Sequence, residues 1–310
     1  SDQDGTYSGD WVSSGAGAKS VNVNLSTDGS KTIRVKTRDH ALNEREVSGS
    51  ITLDQTGPDI TGLQIGDGSA LTNDDVNPID VTFNIDDGSG IGAAEYEISD
   101  QNGNFSGNWQ VVTTGSESGT VALSGDGEKT IKVRGRDDLE NITDPAASGT
   151  VTLDTAPPSV QNLVINSGSA YSNGNSVSVT FDIEDGANGS GDMEYRLTVN
   201  GTPGSWTTSG LSGTGTSEDV STSVATLSNG DYTIAVDARD ALLNATGSSV
   251  FGSVTRDAAP PSIDTFTLNG SDPSGGMIYT NTDPVSIVLN ISDTGGSDLY
   301  QFEISDEEGV

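Results

Sequence analysis

The sequence has no cysteine and few basic residues, and each scarcity excludes a class of protein. The absence of cysteine from 310 residues excludes a disulfide framework and thiol chemistry. It fits an intracellular location and equally the outer surface of a prokaryotic cell, where long arrays are often free of cysteine. Only 13 Lys and Arg stand against 46 Asp and Glu, which gives a formal net charge of −33. Because phosphate contacts need clustered basic side chains, we expect no nucleic-acid partner and an attraction for cations.

Aromatic residues and long apolar runs are also scarce. There is no run of about 18 apolar residues and no basic-then-apolar leader, so this stretch predicts neither a membrane span nor a signal sequence. Aromatics make up 5% of the chain, which suits a thin core of β-branched residues better than an enzyme with a deep pocket. The apolar fraction of 31% comes close to the usual value of roughly 45–50% once the 40 glycines are added, so a core can form.

Internal repetition is the main feature that the sequence does have. One phrase occurs three times, as DGSKTIRVKTRD from residue 28, DGEKTIKVRGRD from residue 126 and NGDYTIAVDARD from residue 229. Each copy is a turn pair followed by apolar and polar residues in alternation, which predicts a half-buried strand. The predicted inward-facing residues are Ile33, Val35 and Thr37, then Ile131, Val133 and Gly135, then Ile234, Val236 and Ala238. The repeat length of about 100 residues is that of one small domain.

Further strand patterns recur around this phrase. The clearest alternates apolar and polar residues over 79–85, with counterparts at 177–183 and 285–291. A third strand is expected at Tyr96 and Ile98, with counterparts at Tyr195 and Leu197 and at Phe302 and Ile304, and weaker strands are expected at 21–25, 120–123 and 220–227. Roughly seven short strands per repeat, without a helical stretch, are typical of an immunoglobulin-like sandwich. We therefore predict an all-β protein made of tandem immunoglobulin-like β-sandwiches in an extended array.

The two ends of the chain align with the same point inside a repeat. SDQDGTYSGDW at residue 1 matches SDQNGNFSGNW at residue 99, and FEISDEEGV at residue 302 matches YEISDQNGN at residue 96. This predicts the back half of a repeat at 1–57, whole domains at 58–157 and 158–260, and the front half of a repeat at 261–310. We expect an excerpt from a longer array, with anchoring segments outside it. The alternative is that neighbouring copies complete the halves in a polymer.

The order of these motifs carries a family resemblance. An opening V-x-F-x-I-x-D, one Trp after a small-residue turn, R-D-x-x-x-N, and a closing L-D-T-x-x-P together resemble the Ig-like repeats of bacterial and archaeal surface proteins. The resemblance covers the whole chain and implies an extracellular stalk, filament, adhesin or surface-layer (S-layer) subunit, or an accessory module of a secreted enzyme. It also implies calcium at domain junctions, as in some giant adhesins. The chain departs from the family pattern in lacking a Gly in the Arg-Asp loop and in having Gln55 and Gly57 in its first linker.

The acidic loops are the candidate metal sites. In such a sandwich, the loop between the second and third strands and the loop between the last two strands lie at the end where the chain enters. The Asp that leaves one domain should therefore approach two acidic loops of the next, and Ca²⁺ takes roughly six to eight oxygen ligands. The alternative is that these side chains cap turns and face water. The candidate ligands are Asp54 with Asp86, Asp87, Asp137 and Asn141, then Asp154 with Asp182, Asp185, Asp192, Asp240 and Asn244, then Asp257 with Asp293 and Asp298.

Two further motifs resemble sites but favour structural roles. D-x-D-G at residue 2 and D-x-N-G at residue 100 resemble the start of an EF-hand loop. The bidentate acid that such a loop needs is replaced by Ser13 and Val111, so a hairpin turn is expected instead. Trp11, Trp109 and Trp206 occur once per repeat and are expected to pack at the core or an edge, with stacking on sugars as the alternative.

The remaining motifs favour a structural role over catalysis. There is no G-x-S-x-G motif, and the single histidine, His40, has no repeated partner, so we expect no enzyme. Asn-x-Ser/Thr sequons permit glycosylation without arguing for it. We predict a cell-surface structural protein that associates with like subunits, with surface glycans or a receptor on a neighbouring cell as further candidate partners. The alternative is an accessory carbohydrate-binding or spacer module of a secreted polysaccharide-active enzyme.

Overall fold

The computed structural model describes residues 1–88, 92–186, 189, 191–212, 218–225, 227–247, 249–294, 297 and 301–305. In this part of the chain the only helical residues form two short 3₁₀ turns, at Asn166–Gly168 and Pro273–Gly275. None of the described helices has the length and apolarity needed to span a membrane. The chain divides into two compact units, Ser1–Thr155 and Ala156–Val310.

The first unit holds a hairpin followed by a complete sandwich. Its strands are β1 (Gly29–Arg38), β2 (Glu44–Leu53), β3 (Asp59–Ile65), β4 (Leu71–Thr72), β5 (Ile79–Asp86), β6 (Ala93–Ile98), β7 (Gln110–Val111), β8 (Ser116–Val121), β9 (Gly127–Asp137) and β10 (Ala147–Leu153). The hairpin is the antiparallel pair β1–β2, and the sandwich has one sheet in the order β3–β5–β8 and another in the order β4–β10–β9–β6–β7. The first edge switches sheets, since β3 pairs antiparallel with β5 while β4 runs parallel to β10. This strand order is immunoglobulin-like, as predicted.

The second unit repeats the sandwich and follows it with another hairpin. Its strands are β11 (Ser159–Ile165), β12 (Tyr171–Ser172), β13 (Ser176–Glu184), β14 (Asp192–Val199), β15 (Thr202–Pro203), β16 (Thr207–Ser212), β17 (Glu218–Ala225), β18 (Gly230–Arg239), β19 (Val250–Arg256), β20 (Ser262–Leu268) and β21 (Ile287–Ser292). The sheets are β11–β13–β17 and β12–β19–β18–β14–β15, with β16 also pairing with β14. The hairpin is the antiparallel pair β20–β21.

Each sandwich buries its core between its two sheets because apolar residues alternate with polar ones along the strands. On β5, Val81, Phe83 and Ile85 are buried while their polar neighbours are exposed. Phe83 meets Tyr96 edge to face at 5.1 Å, and Phe181 meets Tyr195 in the same way at 5.3 Å. The two cores are therefore built on the same plan, with an aromatic pair bridging the sheets.

The sheets approach closely where a glycine of the last strand faces an isoleucine of the first. A Cβ added at Gly149 would lie 2.8 Å from Ile65 Cδ1, and one added at Gly252 would lie 2.8 Å from Ile165 Cδ1. A larger side chain at either glycine would force that isoleucine side chain to shift.

The predicted inner face is confirmed in the two sandwiches and wrong in the first copy. Ile131, Val133 and Ile234 are fully buried, whereas Val35 on β1 is 53% exposed. The physical reason is that the described residues place no second sheet over the β1–β2 hairpin. Two predicted strands are also not formed, since the structure assigns no strand to residues 21–25 or 301–305.

Candidate metal centres

The R-D-x-x-x-N phrase folds into a turn closed by its own Asp and Asn. Asp137 Oδ1 accepts hydrogen bonds from the backbone N–H groups of Leu139 and Asn141, both at 2.8 Å, and its Oδ2 accepts one from Asn141 Nδ2 at 2.7 Å. The same two bonds recur in the other copies. The backbone N–H and side-chain amide of Asn43 donate to the Asp39 carboxylate, and those of Asn244 donate to Asp240, all at 2.8–2.9 Å. This is the turn chemistry of Asx residues, so the sequence pattern has a local structural cause.

The missing glycine of this loop is replaced by residues held in the left-handed region. Glu140 has φ 67°, and Leu42 and Leu243 have φ 67° and 69° at the equivalent positions. A left-handed conformation of an L-residue costs about 1–2 kcal/mol. The turn therefore keeps the geometry that a glycine would adopt freely, at some cost in stability.

Three strand ends bring Asp54, Asp87 and Asp137 together in the first unit. Asp54 follows β2, Asp87 follows β5, and Asp137 is the last residue of β9. One carboxylate oxygen from each lies within 4.8 Å of the other two. The predicted approach of a linker Asp to both acidic loops is therefore observed for these three residues.

Asp54 contributes to this cluster a buried carboxylate with an unsatisfied oxygen. Its side chain is only 7% exposed, and its Oδ2 has no hydrogen-bond partner among the described residues. Within the described part of the chain, its Oδ1 accepts only a long 3.4 Å bond from the Thr56 N–H. A buried charge normally has a hydrogen bond, an opposite charge or a metal ion. Three hard oxygen donors around a buried, unsatisfied carboxylate are the donor set that Ca²⁺ or Mg²⁺ selects.

In the second unit, Asp185 and Asp240 form a buried pair at the equivalent strand ends. Both are almost completely buried, and carboxylate oxygens of the two lie within 4.8 Å of each other. Asp154 belongs to the first unit, where it is also buried and its N–H donates to the Thr72 carbonyl at 2.9 Å.

The linker that begins at Asp257 has a different arrangement. Asp257 Oδ2 accepts hydrogen bonds from the Ser297 N–H at 3.1 Å and the Ser297 hydroxyl at 2.5 Å, and the same hydroxyl lies 3.2 Å from Asp293 Oδ2. The hydrogen bonds from Ser297, with that from the Ala259 N–H, hold the pKa of Asp257 below its ordinary value. Asp298, the other predicted ligand here, lies outside the described residues.

Several predicted ligands do not join a cluster. Asp86 and Asp192 are exposed, and Asp182 faces outward and accepts a 2.6 Å bond from Asn162 Nδ2. The amide nitrogens of Asn141 and Asn244 donate to the Asp of their own turns, and Asn141 Nδ2 also reaches the Asp54 carbonyl at 3.2 Å. Asn141 thus ties the linker to the turn through its amide nitrogen.

A ladder of charges that was not predicted from the sequence lies on the outer face of the larger sheet of each sandwich. In the first sandwich, Glu95 opposes Arg136 and Glu97 opposes Arg134 across β6 and β9. The Trp109 indole lies over both guanidinium groups, at 4.9 Å and 4.5 Å from its centroid. Opposite charges on facing strands were visible in the sequence, but the register that pairs them was not.

The second sandwich keeps this ladder with one rung reversed. Glu194 pairs with Arg239 as before, but Arg196 on β14 now pairs with Asp237 on β18. Trp206 still lies over two guanidinium groups, at 4.7 Å from Arg196 and 4.4 Å from Arg239. Trp109 and Trp206 thus pack on arginines at the outer face of the sheet.

Glu97 anchors the hairpin that carries Trp109. Its carboxylate is almost completely buried and accepts bonds from the N–H groups of Gly107 at 2.5 Å and Asn108 at 3.1 Å, and from Arg134 Nη2 at 2.7 Å. Burial raises the pKa of Glu97, but the bonds from Arg134 and this hairpin outweigh that effect and leave it below the ordinary value. This carboxylate is satisfied by donors, unlike that of Asp54.

The two loops that resemble an EF-hand are closed turns. The one at Asp100 lies between the paired strands β6 and β7, as predicted for a hairpin, whereas the structure assigns no strand to residues 1–28 around Asp2. Asp100 Oδ1 accepts the N–H groups of Asn102 and Asn104 at 2.8 Å and 2.9 Å, and Asp2 Oδ1 accepts those of Asp4 and Thr6 at 3.0 Å and 2.9 Å. The bonds from Asn104 and Asn102 lower the pKa of Asp100. Both carboxylates therefore serve as acceptors of the hydrogen bonds that close their own turns.

No protein-family model and no curated protein sequence match the chain. Among solved structures, it is similar to a tetra-tandem repeat from the extending region of a large adhesion protein, with 21% identity and a TM-score of 0.32 over 88% of this chain and 74% of that one. It is also similar to the fibronectin(III)-like modules of Clostridium thermocellum CbhA, with 15% identity and a TM-score of 0.27 over 64% of this chain and 92% of that one. A third likeness is to the FN1–FN3 domains of chicken CNTN1, with 13% identity and a TM-score of 0.25 over 76% and 74% of the two chains. These likenesses identify no family or activity, and the immunoglobulin-like fold is established by the strand order of the chain's own two sandwiches.

Proposed function

We propose that the chain is a structural segment of an extracellular array, in which consecutive sandwiches act as spacers of a stalk, filament or surface layer. The support is the repetition of one sandwich plan along the chain, with strand-rich units joined by short linkers and strongly acidic surfaces. A protein of this kind works by length, stiffness and surface charge, and needs no reaction centre.

We further propose that a Ca²⁺ ion binds between Asp54, Asp87 and Asp137. The observation that carries this proposal is the buried Asp54 carboxylate, whose Oδ2 has no described hydrogen-bond partner and which lies within 4.8 Å of the other two carboxylates. Two unit charges at that distance repel by roughly 3 kcal/mol at an effective dielectric constant of about 20. A divalent cation removes this repulsion and turns all three contacts into attractions.

The position of this cluster gives the cation a mechanical effect. Asp54 is the first residue after β2, whereas Asp87 and Asp137 belong to the sandwich that follows. An ion that binds all three restrains the linker against bending and adds its binding free energy to the stability of the sandwich. At a hundredfold excess over the dissociation constant, that contribution is about 2.7 kcal/mol.

Calorimetry of the 310-residue chain in chelator and in Ca²⁺ tests this proposal. We expect Ca²⁺ to raise the melting temperature by several degrees, and Asp54→Asn to lose much of this rise and one equivalent of bound Ca²⁺. Asp59→Asn is the matched control, because it removes the same charge from an exposed residue of the next strand. An unchanged melting temperature after chelation, or an equal loss in both variants, would refute the site.

A further inference from the structure

The first residue of each turn pair is hydrogen-bonded to the linker that leaves the same repeat. Asp126 Oδ1 accepts the Thr155 N–H at 3.0 Å and the Thr155 hydroxyl at 2.9 Å. Asp28 accepts the Gln55 N–H at 3.1 Å and the Thr56 hydroxyl at 3.0 Å. In both copies, the side chain just before one strand therefore holds the chain just beyond the end of the neighbouring strand.

The third copy keeps this contact with an amide in place of the carboxylate. Asn229 Oδ1 accepts the Ala258 N–H at 3.1 Å and a further bond from Arg256 on β19. Ala258 is the first residue after the linker Asp, as Gln55 and Thr155 are in the other copies. Asp and Asn share an acceptor oxygen but not a charge. The feature that the three copies have in common is therefore the hydrogen bond to the first linker residue.

Backbone pairing holds the same strand end from its other edge. In the first sandwich, the Thr152 N–H donates to the Ala70 carbonyl at 2.8 Å and the Asp154 N–H donates to the Thr72 carbonyl at 2.9 Å, beside the parallel pairing of β10 with β4. The second sandwich has the equivalent two bonds between β19 and β12, at 2.9 Å and 2.8 Å. The end of the last strand is thus held by the first edge on one side and by the turn pair on the other.

In a spacer of the kind proposed above, tension enters each sandwich through its first strand and leaves through its last. Because β4 and β10 run parallel, this tension pulls the two strands in opposite directions along their axes. Sliding breaks the hydrogen bonds between them together, whereas a strand end that lifts away breaks them one after another. A side chain that keeps the end of β10 in place therefore favours the more resistant route.

We propose that Asp126 and Asn229 are linker anchors, which hold the last strand of each sandwich against tension. Each anchor joins the first linker residue to the start of the neighbouring strand, so a pull on the linker is shared by two strands before the last one can peel from its sheet.

Unfolding under constant force tests this proposal, and the absence of native cysteine allows handles to be attached at introduced cysteines. In the 310-residue chain, Asp59→Cys with Ser159→Cys applies the tension to the first sandwich through Thr155. We expect Asp126→Gly to raise the unfolding rate under tension about fivefold or more, because two hydrogen bonds are lost while the turn is kept. Asp126→Asn, which keeps the acceptor found at Asn229, should stay within about twofold of the parent.

A second pulling direction separates anchoring from general stability. Asp59→Cys with Thr120→Cys places both handles on exposed residues of the sheet β3–β5–β8, so the tension does not pass through Thr155. In this direction, Asp126→Gly should change the unfolding rate by less than about twofold. An equal increase in the two directions, or an unchanged rate in the first, would overturn the proposal. Because the tension is applied directly, neither result depends on the spacer role or on the calcium site.

The second sandwich provides an independent test of the same anchor. Ser159→Cys with Ser262→Cys applies the tension through Ala258. Asn229→Gly should raise the unfolding rate by about fivefold or more, because it removes the bonds from both Ala258 and Arg256. An increase below about twofold would show that this residue does not anchor the linker.

Discussion

The linkers that begin at Asp54 and at Asp257 both start with an aspartate, but the two carboxylates have different hydrogen-bond partners. Asp257 accepts two hydrogen bonds from Ser297 and one of 2.9 Å from the Ala259 N–H. The Asp54 carboxylate accepts only the long bond from Thr56 among the residues that the structure describes, and it lies close to two other carboxylates. A buried carboxylate can be stabilised by neutral donors or by a cation. The same repeat position therefore has hydrogen-bond donors in one linker and a carboxylate oxygen without a described partner in the other.

The two linkers also differ in the residue that precedes their shared proline. In the first, Gly57 lies against the backbone of the loop after β9, and a Cβ there would be 2.2 Å from the carbonyl carbon of Ile142 and 2.6 Å from Thr143 N. In the third, the same position is Pro260. The departure from the repeat pattern at Gly57 therefore has a steric cause.

Substitution of Gly57 by Ala should be the most damaging single change in this comparison. The loop cannot retreat easily, because Thr143 Oγ1 donates to the Pro58 carbonyl at 2.6 Å and Thr143 N donates to the Gly135 carbonyl at 2.9 Å. We expect Gly57→Ala to lower the free energy of unfolding of the first sandwich by about 2–3 kcal/mol. Urea denaturation measures this loss.

Pro260→Ala is the matched control for Gly57→Ala. It changes the equivalent position of the third linker, where we expect a loss below about 1 kcal/mol. Equal losses in the two variants would show that the first linker is not packed more tightly than the third.

Much of the fold could be predicted from strand periodicity, and some of the site could have been. On β5, the inward residues Val81, Phe83 and Ile85 have odd numbers, so the same alternation places Asp87 inward and Asp86 outward, as observed. Both residues were predicted as ligands, whereas the alternation of β5, continued past the end of the strand, favours Asp87 alone.

Other features depend on contacts that no local pattern encodes. The reversed rung at Arg196 and Asp237 requires the register of two strands, and the fit of Gly57 requires the path of a loop that is distant in sequence. The exposure of Val35 has a similar origin, because periodicity shows which face is apolar but not whether a second sheet covers it.

The turn that holds the first linker should gain stability from the glycine that the family pattern would supply. Glu140 has φ 67°, and its neighbour Asn141 donates to the Asp54 carbonyl. Because Gly adopts positive φ without strain but loses more chain entropy on folding, we expect Glu140→Gly to stabilise the sandwich by about 0.5–1 kcal/mol. Leu243→Gly, at the equivalent φ of 69° in the second sandwich, should give a similar gain. A loss of stability in both variants would show that the turn is not strained.

The smallest expected effect is on the pKa of Asp257, and it tests the comparison most directly. The Ser297 side chain is the largest cause of the lowered pKa, so Ser297→Ala should raise it towards the unfolded value of about 3.9, while Ser297→Thr should preserve it. A lowered pKa stabilises the fold above the unfolded value, and this stabilisation is lost as the pH falls through the folded value. In Ser297→Ala that acid-sensitive contribution should shrink, and carbon-detected NMR titration of the Asp257 carboxyl group measures the shift. If the pKa does not move, donors from Ser297 are not what distinguishes this linker from the one at Asp54.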